Sequence, residues 1–208
     1  GFIAGESFRW KIYSMSQAEE FEAIPKYVLG PSVYTQGAQT LLGGLEAFRY
    51  IDKINVLSGW SGISSYVIPI NDTVDVMFES ISGSLEILSD QEDIYWPDGN
   101  VNTLITWDPY MGYYIKTNSP VTVMIKGSNR ADTEVSLLPG WNLLPILSPS
   151  DISTLETSIL TALGSNLEVA KEIAGPGIWW PSMNLFTLTT LESGKAYLIK
   201  VTAPCTIL

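Results

Sequence analysis

The stretch MGYYIKTNSPVTV, residues 111–123, returns near the end of the chain as KAYLIKVTAPCTI, residues 195–207. Lys200 follows Lys116 by 84 residues, and the tyrosine, isoleucine and proline positions around the two lysines keep the same interval. In both copies apolar residues alternate with polar ones, which predicts a strand, a turn and a second strand. A pattern that returns at a fixed interval indicates a fold built from two similar parts.

Further matches extend the repeat towards the N-terminus. Trp141 follows Trp60 by 81 residues, and each comes directly after a glycine. Trp180 follows Trp96 by 84 residues, and each comes directly before a proline. Because only three residues are inserted over this span, chance does not explain the similarity. The two tryptophans that follow glycine are interpreted as paired core residues, as are the two that precede proline.

Each repeat is predicted to combine several strands with one short helix. A strand is expected over residues 63–70 in the first copy and over 141–147 in the second, and apolar residues at helical spacing then run from Val74 to Ile81. In the second copy Ser153 and Glu156 form a capping-box pattern before a similar run. One helix and a few strands cannot bury their apolar faces alone. We therefore expect a mainly β fold with an α+β tendency, in which two homologous repeats pack about a pseudo-twofold axis.

The predicted domain organisation has two parts. Residues 1–52 form a β-rich N-terminal segment, either a remnant of a sandwich domain or strands that dock on the first repeat. Residues 53–208 form the tandem-repeat domain, with repeat A over 54–128 and repeat B over 135–208. The polar stretch 128–133 between the repeats is predicted to be a loop.

Composition excludes several functions. The chain has 22 acidic and 11 basic residues and a net charge of −11, which argues against nucleic acid or an anionic membrane as a partner. It has no histidine, which excludes Ser-His-Asp and Cys-His catalysis and the common His-ligated zinc sites. The single cysteine, Cys205, cannot form an internal disulfide and is interpreted as a small buried apolar residue.

No metal or cofactor is expected. The acidic residues between Asp90 and Asp98 could hold calcium, but their spacing matches no defined calcium loop, and a solvated acidic turn is the simpler interpretation. No apolar run reaches transmembrane length, so membrane insertion is not expected. Residues 1–10 do not form a signal peptide, so the chain is interpreted as cytoplasmic or as a trimmed piece of a secreted protein.

The repeated motifs resemble a module of large secreted bacterial surface proteins, in which such repeats occur as a tandem pair beside adhesion-like sandwich domains. The resemblance covers about residues 54–208, and residues 5–13 resemble a strand that precedes the pair. Phe186 departs from the asparagine usual at that position. The matching positions are Gly59, Trp60, Ser64, Trp96, Pro97, Asn102, Thr103, Leu104, Gly112, Tyr113, Ile115 and Lys116, and then Gly140, Trp141, Asn142, Trp180, Pro181, Thr187, Leu188, Gly194, Tyr197, Ile199 and Lys200. The resemblance implies an extracellular or cell-surface, non-catalytic role, either accessory or in adhesion.

Four aromatic residues are the candidate ligand-binding residues. If the Trp-Pro tryptophans are core, strand alternation turns Tyr95 and Trp179 outwards, where a flat apolar ring could stack on a sugar. Trp107 has Leu191 as its counterpart, so the repeat does not require an aromatic there, and Trp107 with Tyr110 forms a second candidate pair. The alternatives are that the outer face is also covered and that Trp107 is a lid over a core edge.

The sequence therefore predicts a non-catalytic module that binds a glycan or a surface protein through exposed aromatics, beside neighbouring domains of a larger chain. One alternative is a structural spacer that binds nothing. A less favoured one is a carbohydrate-active enzyme with paired carboxylates, because the repeated motifs are aromatic, glycine and proline rather than acidic.

Overall fold

In a computed structural model of the chain, two compact units are present, Gly1–Tyr50 and Ile51–Leu208. The predicted capping residue Glu156 and residues 130–133 of the predicted loop lie outside the described residues, whereas Ser128 and Asn129 of that loop belong to a strand. The structure describes residues 2–15, 18–47, 50–129, 134–154 and 159–207.

The N-terminal unit contains one antiparallel sheet of three strands, β1 (Trp10–Ser14), β2 (Glu19–Leu29) and β3 (Leu41–Ala47). Its central strand β2 pairs with β1 in a register that sets Ile12 opposite Phe21.

The remaining strands give the chain its mainly β character. In order they are β4 (Tyr50–Val56), β5 (Gly59–Ile63), β6 (Val67–Pro69), β7 (Leu85–Ser89), β8 (Ile94–Trp96), β9 (Val101–Asn102), β10 (Tyr113–Thr117), β11 (Val121–Asn129), β12 (Val135–Leu137), β13 (Gly140–Pro145), β14 (Ile152–Ser153), β15 (Leu167–Glu172), β16 (Ile178–Trp180), β17 (Leu185–Phe186), β18 (Thr190–Leu191), β19 (Ala196–Val201) and β20 (Cys205–Ile207).

Two five-stranded sheets dominate the second unit. The first sheet has the strand order β5-β10-β7-β8-β9, and the second sheet has the order β13-β19-β15-β16-β17. Every described pairing within the two sheets is antiparallel. Smaller groups accompany them: β4-β11-β6, β12-β20 and β14-β18.

The predicted helices are present but short. The structure has α1 (Val74–Met77) and α2 (Ile159–Ala162), each followed by one 3-10 turn. Asn71 Oδ1 accepts the N–H of Thr73 at 2.9 Å, which fixes the chain just before α1. Ser153 lies in strand β14 rather than at a helix start, so the predicted capping box is not its role.

The single strand predicted over residues 63–70 is wrong, because the chain forms β5 and β6 with a break between them. Ser64 lies at the break, and its side chain forms two hydrogen bonds with residues next to strands of the second sheet. Its hydroxyl donates to the carbonyl of Lys195 at 2.5 Å and accepts the N–H of Ile146 at 2.9 Å. These long-range bonds replace the strand pairing that the apolar pattern suggested.

Apolar side chains fill the inner face of each sheet. In the first sheet Ile63, Leu88 and Ile115 are fully buried, and in the second Ala170 and Ile199 are. Among the described residues, no helix is long and apolar enough to cross a membrane.

Candidate functional site

A line of neighbouring side chains crosses the solvent side of the first sheet. Pairing sets Trp60 opposite Lys116 and Lys116 opposite Ile87. The register between β7 and β8 then places Ile87 opposite Trp96, and Trp96 lies opposite Val101. Residues directly opposite one another share a face of the sheet. We call this set (Trp60, Lys116, Ile87, Trp96 and Val101) the first tryptophan row.

The second sheet carries the same arrangement. Trp141 lies opposite Lys200, which lies opposite Val169. The register of β15 with β16 places Val169 opposite Trp180, and Trp180 lies opposite Leu185. We call this set (Trp141, Lys200, Val169, Trp180 and Leu185) the second tryptophan row. Both rows thus run tryptophan, lysine, aliphatic, tryptophan, aliphatic.

The rows face away from the core. The next residues along the strands, such as Ile115 and Leu88, point to the other face and are fully buried. The row tryptophans are instead accessible: Trp60 and Trp96 are each 44% exposed and Trp141 is 47% exposed, while Trp180 is half-buried. Each sheet therefore presents open indole rings on its outer face.

A bulge adds a carboxylate to each row. In the first sheet Lys116 pairs with Ile87 and the next residue pairs with Leu85, so that Glu86 is an extra residue; Glu168 is extra in the same way in the second sheet. A bulge of this kind re-aims the side chain of the extra residue. Both glutamates reach the lysine of their own row.

The resulting ion pairs are short and half-exposed. Glu86 accepts from Lys116 Nζ at 2.6 Å, and Glu168 accepts from Lys200 Nζ at 2.8 Å. The Lys116 ammonium also lies 6.0 Å from the centre of the Trp60 ring, the outer limit of a cation–π contact. Each row therefore places a hydrogen-bond donor and an acceptor beside an indole ring.

Trp96 is held by the turn that follows it. A side chain at Gly99 would collide with the Trp96 ring, so the ring packs directly on the glycine backbone. The turn closes through the N–H of Asn100, which donates to the carbonyl of Pro97 at 3.0 Å with φ of 50° at Asn100. Asparagine tolerates this left-handed conformation better than most residues.

The turn after Trp180 is built in the same way. The N–H of Asn184 donates to the carbonyl of Pro181 at 3.0 Å, and its φ is 52°. A threonine supports each turn from the side: Thr103 Oγ1 accepts the N–H of Ile94 at 2.9 Å, and Thr187 Oγ1 accepts that of Ile178 at 3.1 Å. The repeated Trp-Pro motif therefore orients an outward tryptophan.

Two of the predicted ligand-binding aromatics belong to the core, so their expected exposure is wrong. Trp107 is 1% exposed, and its ring stacks on Tyr113 with 4.1 Å between the ring centres. Trp179 is 9% exposed and meets Phe186 edge to face at 4.7 Å. Trp179 lies on the inner face because its strand has the opposite phase from the one expected.

Tyr95 and Tyr110 lie in different surroundings. Tyr95 lies opposite Leu88 on the inner face and is half-buried, so its expected outward orientation is wrong. Burial raises the pKa of its phenol, and Asp75 adds to the effect. Tyr110 is 38% exposed, in a turn where its N–H donates to Asp108 Oδ1 at 2.8 Å. Tyr110 stays a prediction as a binding residue, but it belongs to neither row.

The interpretation of Trp60, Trp141, Trp96 and Trp180 as core residues is also wrong. Each occupies the outward phase of its strand. Sequence analysis missed them as surface residues because a large apolar side chain in a strand is more often buried. Lys116 and Lys200 do indicate which side chains of β10 and β19 point outwards. The register that places these lysines opposite the tryptophans cannot be read from the sequence.

The other polar features have local roles. Asp90 Oδ1 accepts the N–H groups of Glu92 and Asp93, each at 2.7 Å, so this part of the acidic stretch is a hydrogen-bonded turn. Within the described part of the chain, no group of three or more Asp, Glu or Cys side chains could hold a metal. Cys205 is half-buried, and burial raises the pKa of its thiol.

A small cleft of about 100 Å³ lies where the two sheets meet. Its wall includes Gly62 of β5 and Ala196 of β19, with Glu172 and Lys195 among the polar residues. The ammonium of Lys195 lies 2.7 Å from Glu192 Oε1, and Glu172 Oε2 accepts the N–H of Gly177 at 2.9 Å. The charged groups of Glu172 and Lys195 are thus engaged in contacts within the chain.

Comparison with known protein families gives no matching family model, and comparison with curated proteins and with solved structures gives no match to this chain.

Proposed function

We propose that this chain is a non-catalytic module of a secreted or cell-surface bacterial protein, and that it mediates adhesion by binding carbohydrate. The tryptophan rows are its binding surfaces. They replace Trp107 and Trp179 as the aromatic candidates.

One observation carries the proposal: twice, an exposed tryptophan lies opposite a lysine that is paired with a glutamate. An indole ring offers a flat apolar face to the C–H face of a sugar. The ammonium donates hydrogen bonds and the carboxylate accepts them, while a sugar hydroxyl does both. A ring with a donor and an acceptor at its rim therefore suits a sugar better than a purely apolar ligand.

The polar groups of the rows suit binding rather than hydrolysis. A glycosidase of the usual kind needs two carboxyl groups that flank the bond to be cleaved. Each described row supplies one carboxylate, and that carboxylate is joined to a lysine. Such a pair can hold hydroxyl groups but does not provide the acid and the base of that mechanism.

The proposal includes the origin of the two rows: the two sheets are copies of one repeat, related by a pseudo-twofold axis. The contacts between them support this. A side chain at Gly62 would strike the Ala196 carbonyl, and one at Gly112 would approach the Leu143 carbonyl carbon to 3.3 Å. Leu143 is the sequence counterpart of Gly62, and Ala196 is that of Gly112. The two contacts therefore exchange under the same operation, as an isologous interface requires.

The direct test is a binding screen of the purified chain against a panel of polysaccharides and glycans. We expect the double variant Trp60→Ala/Trp141→Ala to weaken binding at each row by about fivefold, because it removes one stacking contact of about 1 kcal/mol from each row. Ile70→Ala, an exposed apolar position away from both rows, is the matched control and keeps wild-type binding. Near- and far-ultraviolet circular dichroism checks that every variant is folded.

The screen also separates the alternatives. Binding that is lost in Tyr110→Ala but kept in the double tryptophan variant would assign the site to the turn that holds Tyr110. Binding to none of the panel at millimolar ligand would contradict a carbohydrate-binding role and favour a structural spacer.

A further inference from the structure

We infer that each tryptophan row binds an extended, uncharged polysaccharide segment that lies across the strands, so that one chain holds two such segments. The inference rests on the proposed function and specifies its ligand. It follows from the length of the rows, their charge and their duplication.

The length of a row points to a chain of sugars rather than to one sugar. Trp60 lies on β5 and Trp96 on β8, which is the fourth strand in the order of the first sheet. Three strand spacings separate them, about 14 Å. Trp141 and Trp180 occupy the first and fourth strands of the second sheet in the same way. A single pyranose cannot contact both rings, whereas an extended oligosaccharide can.

Between the two rings of each row lie the Lys–Glu pair and one aliphatic residue. The aliphatic residue is Ile87, which is half-buried, in the first row and Val169, which is 6% exposed, in the second. Val101 and Leu185, which are 37% and 43% exposed, continue the surface beyond the second ring. A ligand that reaches from one ring to the next would therefore pass over the Lys–Glu pair, whose ammonium and carboxylate can hold its hydroxyl groups.

The Trp96 ring is held in place before any ligand binds. Trp96 rests on Gly99, and the turns after Trp96 and Trp180 are closed by Asn100 and Asn184. A ring held by the backbone loses little freedom when a ligand stacks on it, which favours binding.

The charge of the rows selects an uncharged ligand. Each lysine is balanced by the glutamate of its own row, at 2.6 Å in the first sheet and 2.8 Å in the second. The chain as a whole carries a net charge of −11. An acidic polysaccharide would be repelled by that net charge and would find no unbalanced cation in the rows, whereas neutral hydroxyl groups can use both members of each pair.

Duplication argues that the rows are more than a consequence of packing. The core differs between the sheets, as Trp107 in one and Leu191 in the other show. The outward positions, where packing does not demand an indole, nevertheless hold tryptophan at both ends and a Lys–Glu pair in both sheets.

The test is calorimetry of the whole chain with uncharged linear β-glucan oligosaccharides, from the disaccharide to the hexasaccharide, beside galacturonan oligosaccharides of matched length. We expect affinity for the neutral series to rise with length until both rings are covered and then to level off, with two binding sites per chain. Affinity for the charged series should be lower by about tenfold or more, and added salt should leave the neutral binding unchanged.

Single-ring variants test the row itself. Trp96→Ala and Trp180→Ala should each remove the gain with length at one of the two sites, leaving the affinity for the shortest binding oligosaccharide unchanged. Ile70→Ala is the control and keeps the full length dependence.

Five results would overturn the inference. Three of them leave the proposed function standing: binding that is independent of length, one site per chain, or a preference for the charged series. Binding to no glycan overturns both proposals. The rows could instead bind a second copy of the chain, and sedimentation of the ligand-free chain tests this. A dimer that dissociates in Trp96→Ala would assign the rows to self-association and overturn the inference.

Discussion

The two five-stranded sheets share their outer surface but differ inside. Both carry a row of the same residue types, and both keep a buried tyrosine, Tyr113 or Tyr197. Beneath the first sheet Trp107 stacks on Tyr113 at 4.1 Å, whereas Leu191, fully buried, occupies the corresponding place near Tyr197. Inside, any well-fitting apolar group suffices, since a core requires volume and shape. Outside, the chemical type is kept, as the proposed binding role requires.

The contact between the sheets is unequal as well. The first sheet contributes Gly62 and Gly112, and the second contributes Leu143 and Ala196 at the corresponding positions. Small residues on one side accommodate larger ones on the other, so the two positions have different tolerance to substitution.

The largest effect is expected at this contact. In Gly62→Ala the new methyl group would meet the Ala196 carbonyl oxygen and the Ile173 side chain. A backbone atom cannot turn away as a side-chain end can, so we expect a loss of about 3 kcal/mol in the free energy of unfolding. Urea denaturation measures it.

The matched control is Gly83→Ala, where nothing lies within 4 Å of the added atom. A cost below about 0.5 kcal/mol is expected there. If Gly62→Ala is as mild as Gly83→Ala, the sheets are not in the close contact described.

Making the two cores alike gives the next largest effect. Trp107→Leu copies Leu191 and removes a buried indole whose N–H has no hydrogen-bond partner. The cavity destabilises, while loss of the unpaired N–H partly offsets it, so the net cost should be about 2 kcal/mol. Thermal unfolding followed by circular dichroism measures it. If Trp107→Leu leaves the unfolding temperature unchanged, leucine fits the first core as well as it fits the second.

The buried tyrosines should respond alike in the two sheets. Tyr113 Oη accepts the N–H of Asp108 at 2.7 Å, and Tyr197 Oη accepts that of Glu192 at 2.8 Å. Removing either hydroxyl, in Tyr113→Phe or Tyr197→Phe, should cost about 1 kcal/mol. Burial raises the pKa of both phenols, so the wild type should lose stability above about pH 10 as the unfolded tyrosines ionise first.

Urea denaturation of the two variants across pH 8–11 tests the comparison, and each variant should show a weaker alkaline loss than the wild type. If only one of the two variants loses much stability, the two tyrosine hydroxyls contribute differently to folding despite their similar geometry.

The mainly β class followed from alternation alone, because period-2 patterning is a local property. The orientation of Trp60 and Trp96 did not, because it depends on register. A strand shifted by one residue exchanges its two faces, and nothing near Trp96 in the sequence specifies which face is covered. Trp107 illustrates the opposite error: it lies in a turn-like stretch, yet the tertiary stack on Tyr113 buries it.

The smallest effect concerns a polar pair that only the first half of the unit contains. Asp52 is buried and accepts the Ser65 hydroxyl at 2.9 Å, whereas Ile146 is the counterpart of Ser65. Burial raises the pKa of the Asp52 carboxyl, so folding favours its protonated form. The contribution of Asp52 to the free energy of unfolding is complete below the pKa of 3.8 that it has in the unfolded chain. This contribution is lost as the pH rises through the pKa of the folded state. Asp52→Asn keeps an acceptor without the charge and should stabilise by about 1 kcal/mol at neutral pH. The gain should shrink towards pH 3 in urea denaturation; a gain that is the same at both pH values would show that the charge is not its source.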